Sequence, residues 1–206
     1  GWLNSTNLNT GKRNWRTYTI PAPGEPGSET WKQGPESHSS DAWKHGGGST
    51  WVVGSYDAEL NLIYWGVGNP GPDWDNEYRP GDNLYSNSVL ALDADSGKIK
   101  WHFQYTPNDP YDYDGVNEQT LVDTKIFGKE TKAVLHADRN GFAYALDRTT
   151  GQFLWGTPFV EQLDWTIGLD KYSGLPMDYD ENSDVQRYVD STNASRAKPE
   201  GLSCPG

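Results

Sequence analysis

Asp93-Ala94-Asp95-Ser96-Gly97-Lys98-Ile99-Lys100-Trp101 is the stretch on which the fold turns. An acid opens a turn, Gly97 closes it, and residues 98–105 then alternate as a half-buried strand, with Ile99, Trp101, Phe103 and Tyr105 expected on one face. The same pattern stands at Asn7-Leu8-Asn9-Thr10-Gly11 before Trp15 and at Asp147-Arg148-Thr149-Thr150-Gly151 before Trp155, with Trp four residues past Gly each time. Periodic turn-plus-aromatic marks of this kind signal β-propeller blades, whose hairpins repeat one packing problem. The uneven intervals imply long insertions, near 18–48 and 70–87, both rich in Gly, Pro, Ser and Asp. At about 40–50 residues per blade, the chain supplies a few blades and is expected to be part of a longer protein.

Composition agrees. The 206 residues include 23 Gly, 13 Pro, 10 Trp, 12 Tyr and 5 Phe, which points to an all-β sandwich, barrel or propeller and excludes an aromatic-poor disordered chain. Seventeen Lys and Arg against 29 Asp and Glu leave a net charge of −12. A nucleic-acid binder needs a basic footprint; an acidic surface suits cation binding or plain solubility. No run of about 18 apolar residues offers a membrane span. Cys204 has no partner for an internal disulfide. Further strands are expected at 50–56, 60–67, 88–92, 120–127, 133–137, 142–146 and 152–158, with Asn140-Gly141 turning a hairpin between two of them.

Chemistry concentrates in Pro110-Tyr111-Asp112-Tyr113-Asp114-Gly115-Val116-Asn117-Glu118. On an extended segment Asp112 and Asp114, at i and i+2, point the same way, and two anions that close call for a cation or a shared proton. Oxygen clusters suit hard cations, and a carboxylate beside a metal can act as a general base. The competing reading is a polar Asp-Gly turn. Gly46-Gly47-Gly48-Ser49-Thr50-Trp51 is either bare backbone admitting a flat ligand or a loop before a core Trp. Asn69 in Gly66-Val67-Gly68-Asn69-Pro70 offers a carbonyl to a hard cation, or belongs to a Pro/Gly turn. Arg139 is a strand-end cation. An EF-hand fails, since Pro110 and Leu121 would occupy ligand positions, and His38, His45, His102 and His136 lack zinc spacing.

Together with Asp41-Ala42-Trp43-Lys44-His45, Arg79-Pro80-Gly81-Asp82-Asn83, Thr106-Pro107-Asn108-Asp109 and Asp138-Arg139-Asn140-Gly141, these stretches resemble the quinoprotein alcohol dehydrogenases, the methanol/ethanol dehydrogenase family that uses pyrroloquinoline quinone. The resemblance implies an eight-bladed propeller, the Gly-to-Trp repeats being its tryptophan-docking motifs. It implies that Trp51 stacks on the quinone, Ser49 contacts it, and Arg139 hydrogen-bonds its carbonyl oxygens. Asn69 would ligate the metal. Asp112, beside the metal, would take the alcohol's hydroxyl proton as hydride passes to the quinone's C5. Asp114 resembles the extra metal-ligating Asp of lanthanide-using members, so a lanthanide is expected, with calcium as the alternative. The resemblance further implies a periplasmic homodimer that oxidises a primary alcohol and reduces a soluble cytochrome c. The family's metal-ligating Glu, its adjacent-cysteine disulfide and its remaining blades are not among these residues, so the 206 residues alone are expected to be inactive. The competing function is a non-catalytic propeller binding calcium and carbohydrate, which acidity and aromatic richness also allow.

Overall fold

A computed structural model describes residues 1–33 and 41–188; His38 and Cys204 lie outside them. All pairing is antiparallel. Strands β1 (Trp2–Thr6) and β2 (Arg13–Tyr18) pair with each other. Next come two four-stranded meanders, β3 (Ser55–Asp57), β4 (Leu62–Val67), β5 (Ser88–Asp93) and β6 (Ile99–Gln104), then β7 (Thr120–Ile126), β8 (Lys129–Ala137), β9 (Phe142–Asp147) and β10 (Phe153–Pro158). Two short 3-10 turns, Ser28–Thr30 and Ala42–Lys44, are the helical segments among the described residues. None is long and apolar enough to cross a membrane.

Strand β5 shows how the sheets stack. Its side chains alternate between two cores: Val89 and Ala91 pack with Tyr64, Phe103, Val134, Phe142, Tyr144 and Leu146, while Leu90 and Leu92 pack with Leu3, Val67 and Tyr85. A strand buried on both faces is sandwiched between neighbours. The first core therefore joins the two meanders, and the second joins the β1–β2 pair to the β3–β6 meander.

The repeat read in the sequence is the device that joins them. Each motif turn closes the hairpin before the last strand of its sheet, with Asn7, Asp93 or Asp147 accepting backbone N–H groups from within the turn. Trp15 Nε1 donates to Ala94 O at 3.0 Å, and a Cβ on Gly97 would lie 2.5 Å from its ring. Trp101 repeats this on the next turn, donating to Arg148 O at 3.2 Å, with Gly151 against its ring. The Trp of one sheet thus caps the turn of the next. The Arg148 side chain reaches back across the same junction, its Nε 2.7 Å from Asp57 Oδ2 and its Nη1 2.6 Å from Asp123 Oδ1.

The single-face reading of Ile99, Trp101, Phe103 and Tyr105 fails at Ile99. Leu92 pairs with Ile99 and Ala91 with Trp101, so Lys100 is an extra residue, a β-bulge. The bulge turns Ile99 into the core with Leu90, while Trp101 and Phe103 join the other. The same slip falls before Trp15 and Trp155, so it belongs to the repeat, and for Trp15 and Trp101 it accompanies docking on the next turn. The strand expected at 50–56 is observed only at Ser55–Asp57, and Gly54 before it packs against the Trp65 ring.

Candidate functional site

The candidate residues meet where the ends of β4 and β8 approach the 112–117 segment. Gly68 N–H donates to Ser49 O at 2.8 Å and Gly48 N–H to Asn69 O at 2.7 Å, so 48–49 run alongside 68–69. A Cβ on Gly68 would stand 2.9 Å from both Asp114 Oδ1 and Ser49 Oγ; a glycine there is what lets these oxygens converge. Of the two readings of this glycine run, the loop before a core Trp does not hold, since Trp51 is exposed, while Gly47 and Gly48 pack closely. They fit against Asn69–Gly71 and against Thr19 and Ile20.

The extended reading of 112–114 is also overturned. Asp112 and Asp114 have φ of 63° and 72°, and Gly115 follows at 64°. Left-handed backbone suits Asp and Gly, and here it loops the segment across Asn87, on which Gly115 lies directly. Asp114 is buried. Its Oδ1 accepts the Asn69 backbone N–H at 3.2 Å, and its Oδ2 takes a short hydrogen bond from Arg139 Nη1. Asp112 is half-buried. Burial pushes its carboxyl above the ordinary carboxylate range, the charges of Asp114 and Asp73 push it further, and Arg139 partly offsets them. Ser49, Asn69, Asp112, Asp114 and Arg139 are therefore one cluster. Trp51 lies two residues beyond Ser49 with 62% of its surface exposed.

The turn that carries Arg139 is braced by a network to which the sequence alone assigned no role. His136 Nε2 is 2.8 Å from Asp138 Oδ2, and Gln119 Nε2 lies 2.9 Å from His136 Nδ1. Gln119 Nε2 also donates to Asn117 O at 2.9 Å, which sets the amide's orientation and leaves His136 Nδ1 as an acceptor. Tyr105 stacks on the imidazole at 4.2 Å. Asn140 N–H donates to Asp138 Oδ1, and Trp165 Nε1 to Asn140 O. The 79–83 and 106–109 motifs interlock below the Asp loop: buried Arg79 donates to the carbonyls of Pro72, Asp73 and Asp109, and Asn108 to those of Arg79 and Gly81. Asp109 takes N–H bonds from Tyr111 and Tyr113 and fixes the loop that carries Asp112; burial pushes its carboxyl up to about 6, against the pull of those bonds and of Arg79.

Chemically, the cluster offers two carboxylates and a carboxamide oxygen, an all-oxygen set that fits a hard cation. It would supply only part of a coordination shell. Among the described residues, no group of three or more His, Cys, Asp or Glu side chains could hold a metal ion by itself. Arg139 adds a fixed cation able to meet a ligand's carbonyl oxygens, and the open ring of Trp51 suits a planar group.

Comparison with known proteins adds the following. Residues 3–162 match the model of the PQQ glucose/ethanol/alcohol dehydrogenase β-propeller domain. The chain is 57% identical over 137 residues to the quinoprotein alcohol dehydrogenase PedH of Pseudomonas putida, covering 66% of the chain and 23% of that protein. It is 36% identical to the lanthanide-dependent methanol dehydrogenase of Methylorubrum extorquens, covering 96% of the chain and 34% of that protein. The solved structure of a europium-containing methanol dehydrogenase superposes with a TM-score of 0.76 at 39% identity, over 85% of the chain and 32% of that structure. The chain thus spans well under half the length of each.

Proposed function

The chain belongs to the PQQ glucose/ethanol/alcohol dehydrogenase β-propeller family, and on that premise we propose that the protein containing it oxidises a primary alcohol to the aldehyde with pyrroloquinoline quinone and a bound metal ion. The observation that carries this reading is the convergence of Asn69, Asp112, Asp114 and Arg139 around Gly68. Asn69, Asp112 and Asp114 would hold the cation, and Ser49, Trp51 and Arg139 the quinone. When bound, the quinone supplies a two-electron acceptor and the cation a Lewis acid.

What the chain's own residues do follows from their surroundings. Asp112 takes the alcohol's hydroxyl proton on its carboxylate. Asp112 needs to be ionised for this step, and a cation held by Asn69, Asp112 and Asp114 would offset the repulsion from Asp114 and Asp73. Arg139, pinned by Asp114 and by the Asp138 turn, is preorganised to stabilise oxyanion charge without reorganising. Trp51, with its exposed ring, would offer a planar group a stacking surface. The second carboxylate, Asp114, favours a trivalent lanthanide over calcium, since a harder ion of higher charge gains more from an added anionic ligand. We further propose, on the motif resemblance alone, that the complete protein is a periplasmic homodimer that reduces a soluble cytochrome c.

Asp112→Ala in the complete protein tests this. Dye-linked alcohol oxidation is expected to fall by about 10²–10⁴-fold, the usual contribution of a general base, with quinone still bound. Undiminished oxidation in the variant removes Asp112 from the mechanism. A parent protein that binds calcium and glycan, carries no quinone and oxidises no alcohol would instead establish the non-catalytic propeller.

A further inference from the structure

Asn69 is oriented by Asp73. Its Nδ2 donates to Pro70 O at 3.1 Å and to Asp73 Oδ1 at 2.6 Å. A carboxamide nitrogen carries two hydrogens, so both are committed and the amide cannot flip without losing both bonds. Asn69 Oδ1 therefore faces away from Asp73 and Pro70, and it accepts no hydrogen bond among the described residues. That leaves its lone pairs free for a cation. The bond to Asp73 is charge-assisted, the stronger kind.

Asp73 is itself anchored. Its carbonyl oxygen accepts Arg79 Nη2 at 2.9 Å, and Arg79 is fully buried. Its carboxylate stands 2.6 Å from Asn69 Nδ2, one carboxamide away from the Oδ1 that would face the cation, so its charge reaches that place.

We propose that Asp73 is a positioning residue of the cation site, holding the Asn69 carboxamide with Oδ1 toward the metal and adding a third carboxylate charge to the site's field. This rests on reading Asn69, Asp112 and Asp114 as metal ligands. The two contributions separate by ion charge. The charge acts more strongly on a trivalent than on a divalent ion, whereas the amide's orientation serves both alike.

The test is calorimetric titration of CaCl2 and LaCl3 into the metal-stripped complete protein, as wild type, Asp73→Asn and Asp73→Ala. Asp73→Asn keeps an acceptor for Asn69 and loses the charge; affinity is expected to fall about 4-fold for Ca2+ and about 8-fold for La3+, since Coulomb energy scales with ion charge. Asp73→Ala also frees the amide and is expected to lose roughly a further 5-fold for both ions, the worth of one hydrogen bond. Asp73 is exposed and its anchored carbonyl is kept in both variants, so folding is not at stake. Variants that bind both ions like wild type, or an Asp73→Asn loss equal for the two ions, overturn the role of Asp73 and leave the metal-site reading standing. A wild-type protein that binds neither ion overturns both.

Discussion

Gly151→Ala tests the docking of Trp101 on the next turn. Gly151 has φ of 79°, and an added Cβ would lie 2.7 Å from Trp101 Cε3. Gly128, at the β7–β8 hairpin tip, has φ of 80° with nothing within 4 Å of its Cβ position. The two glycines thus share backbone strain and differ in contact. Left-handed backbone costs an L-residue about 1–2 kcal/mol, and replacing Gly returns about 0.4–1 kcal/mol of unfolded-state entropy. Gly128→Ala should therefore destabilise by at most about 1.6 kcal/mol. Gly151→Ala adds overpacking against a ring, about 1–3 kcal/mol, and strains the Trp101–Arg148 hydrogen bond. Urea unfolding of the complete protein, followed by tryptophan fluorescence, reads the difference as a shift in midpoint. In a double-mutant cycle, Trp101→Leu should absorb most of the Gly151→Ala penalty. Equal midpoints for Gly128→Ala and Gly151→Ala, or additive losses in the cycle, would refute the docking argument.

Arg148→Ala should destabilise by about 3–5 kcal/mol, because it strands the buried Asp57 carboxylate without its cation; the same urea titration checks it. Burial alone would raise the Asp57 carboxyl, but N–H bonds from Leu60 and Glu59 and the Arg148 pair outweigh it and hold it below the ordinary range. Stability from that pair is therefore complete above the usual carboxylate pKa and fades as pH falls through the depressed one. A pH series of unfolding midpoints should accordingly fall less steeply under acid for Arg148→Ala than for wild type. Asp114→Ala removes both the partner of Arg139 and the acceptor of the Asn69 N–H. Turnover supported by lanthanide should drop more than turnover supported by calcium, and metal-reconstitution assays would show it.

Much of the fold was legible because a propeller repeats a local problem. Asn or Asp opening a turn, Gly closing it and Trp four residues on are all sequence-local, and they located the junctions between sheets. The bulge before each Trp was not legible. An extra residue leaves no compositional mark, and its effect, turning Ile99 to the other core, appears only against β5. Between β3 and β4, Asp57 Oδ1 accepts the Glu59 and Leu60 N–H groups in a turn of the same kind; it was not legible because Asn61, at φ of 54°, takes the place of the glycine, a conformation Asn tolerates. At the site, the residue types were readable and their backbone was not. Asp112 and Asp114 looked extended, whereas the loop over Asn87 is set by long-range contacts from Asp109 and Gly115. Asp73 and the His136–Asp138 pair act through Asn69 and the Arg139 turn, ties that no spacing reveals.

Elemental analysis of the natively purified complete protein, together with its ultraviolet-visible spectrum, tests most directly whether the cluster around Gly68 is a quinone and metal centre. A quinone absorbance band with about one lanthanide per subunit is the expected result, in keeping with an all-oxygen set that carries an added carboxylate. Calcium in its place would keep the reaction and correct the role given to Asp114. A protein with neither quinone nor bound metal would contradict the assignment of Asn69, Asp112, Asp114 and Arg139.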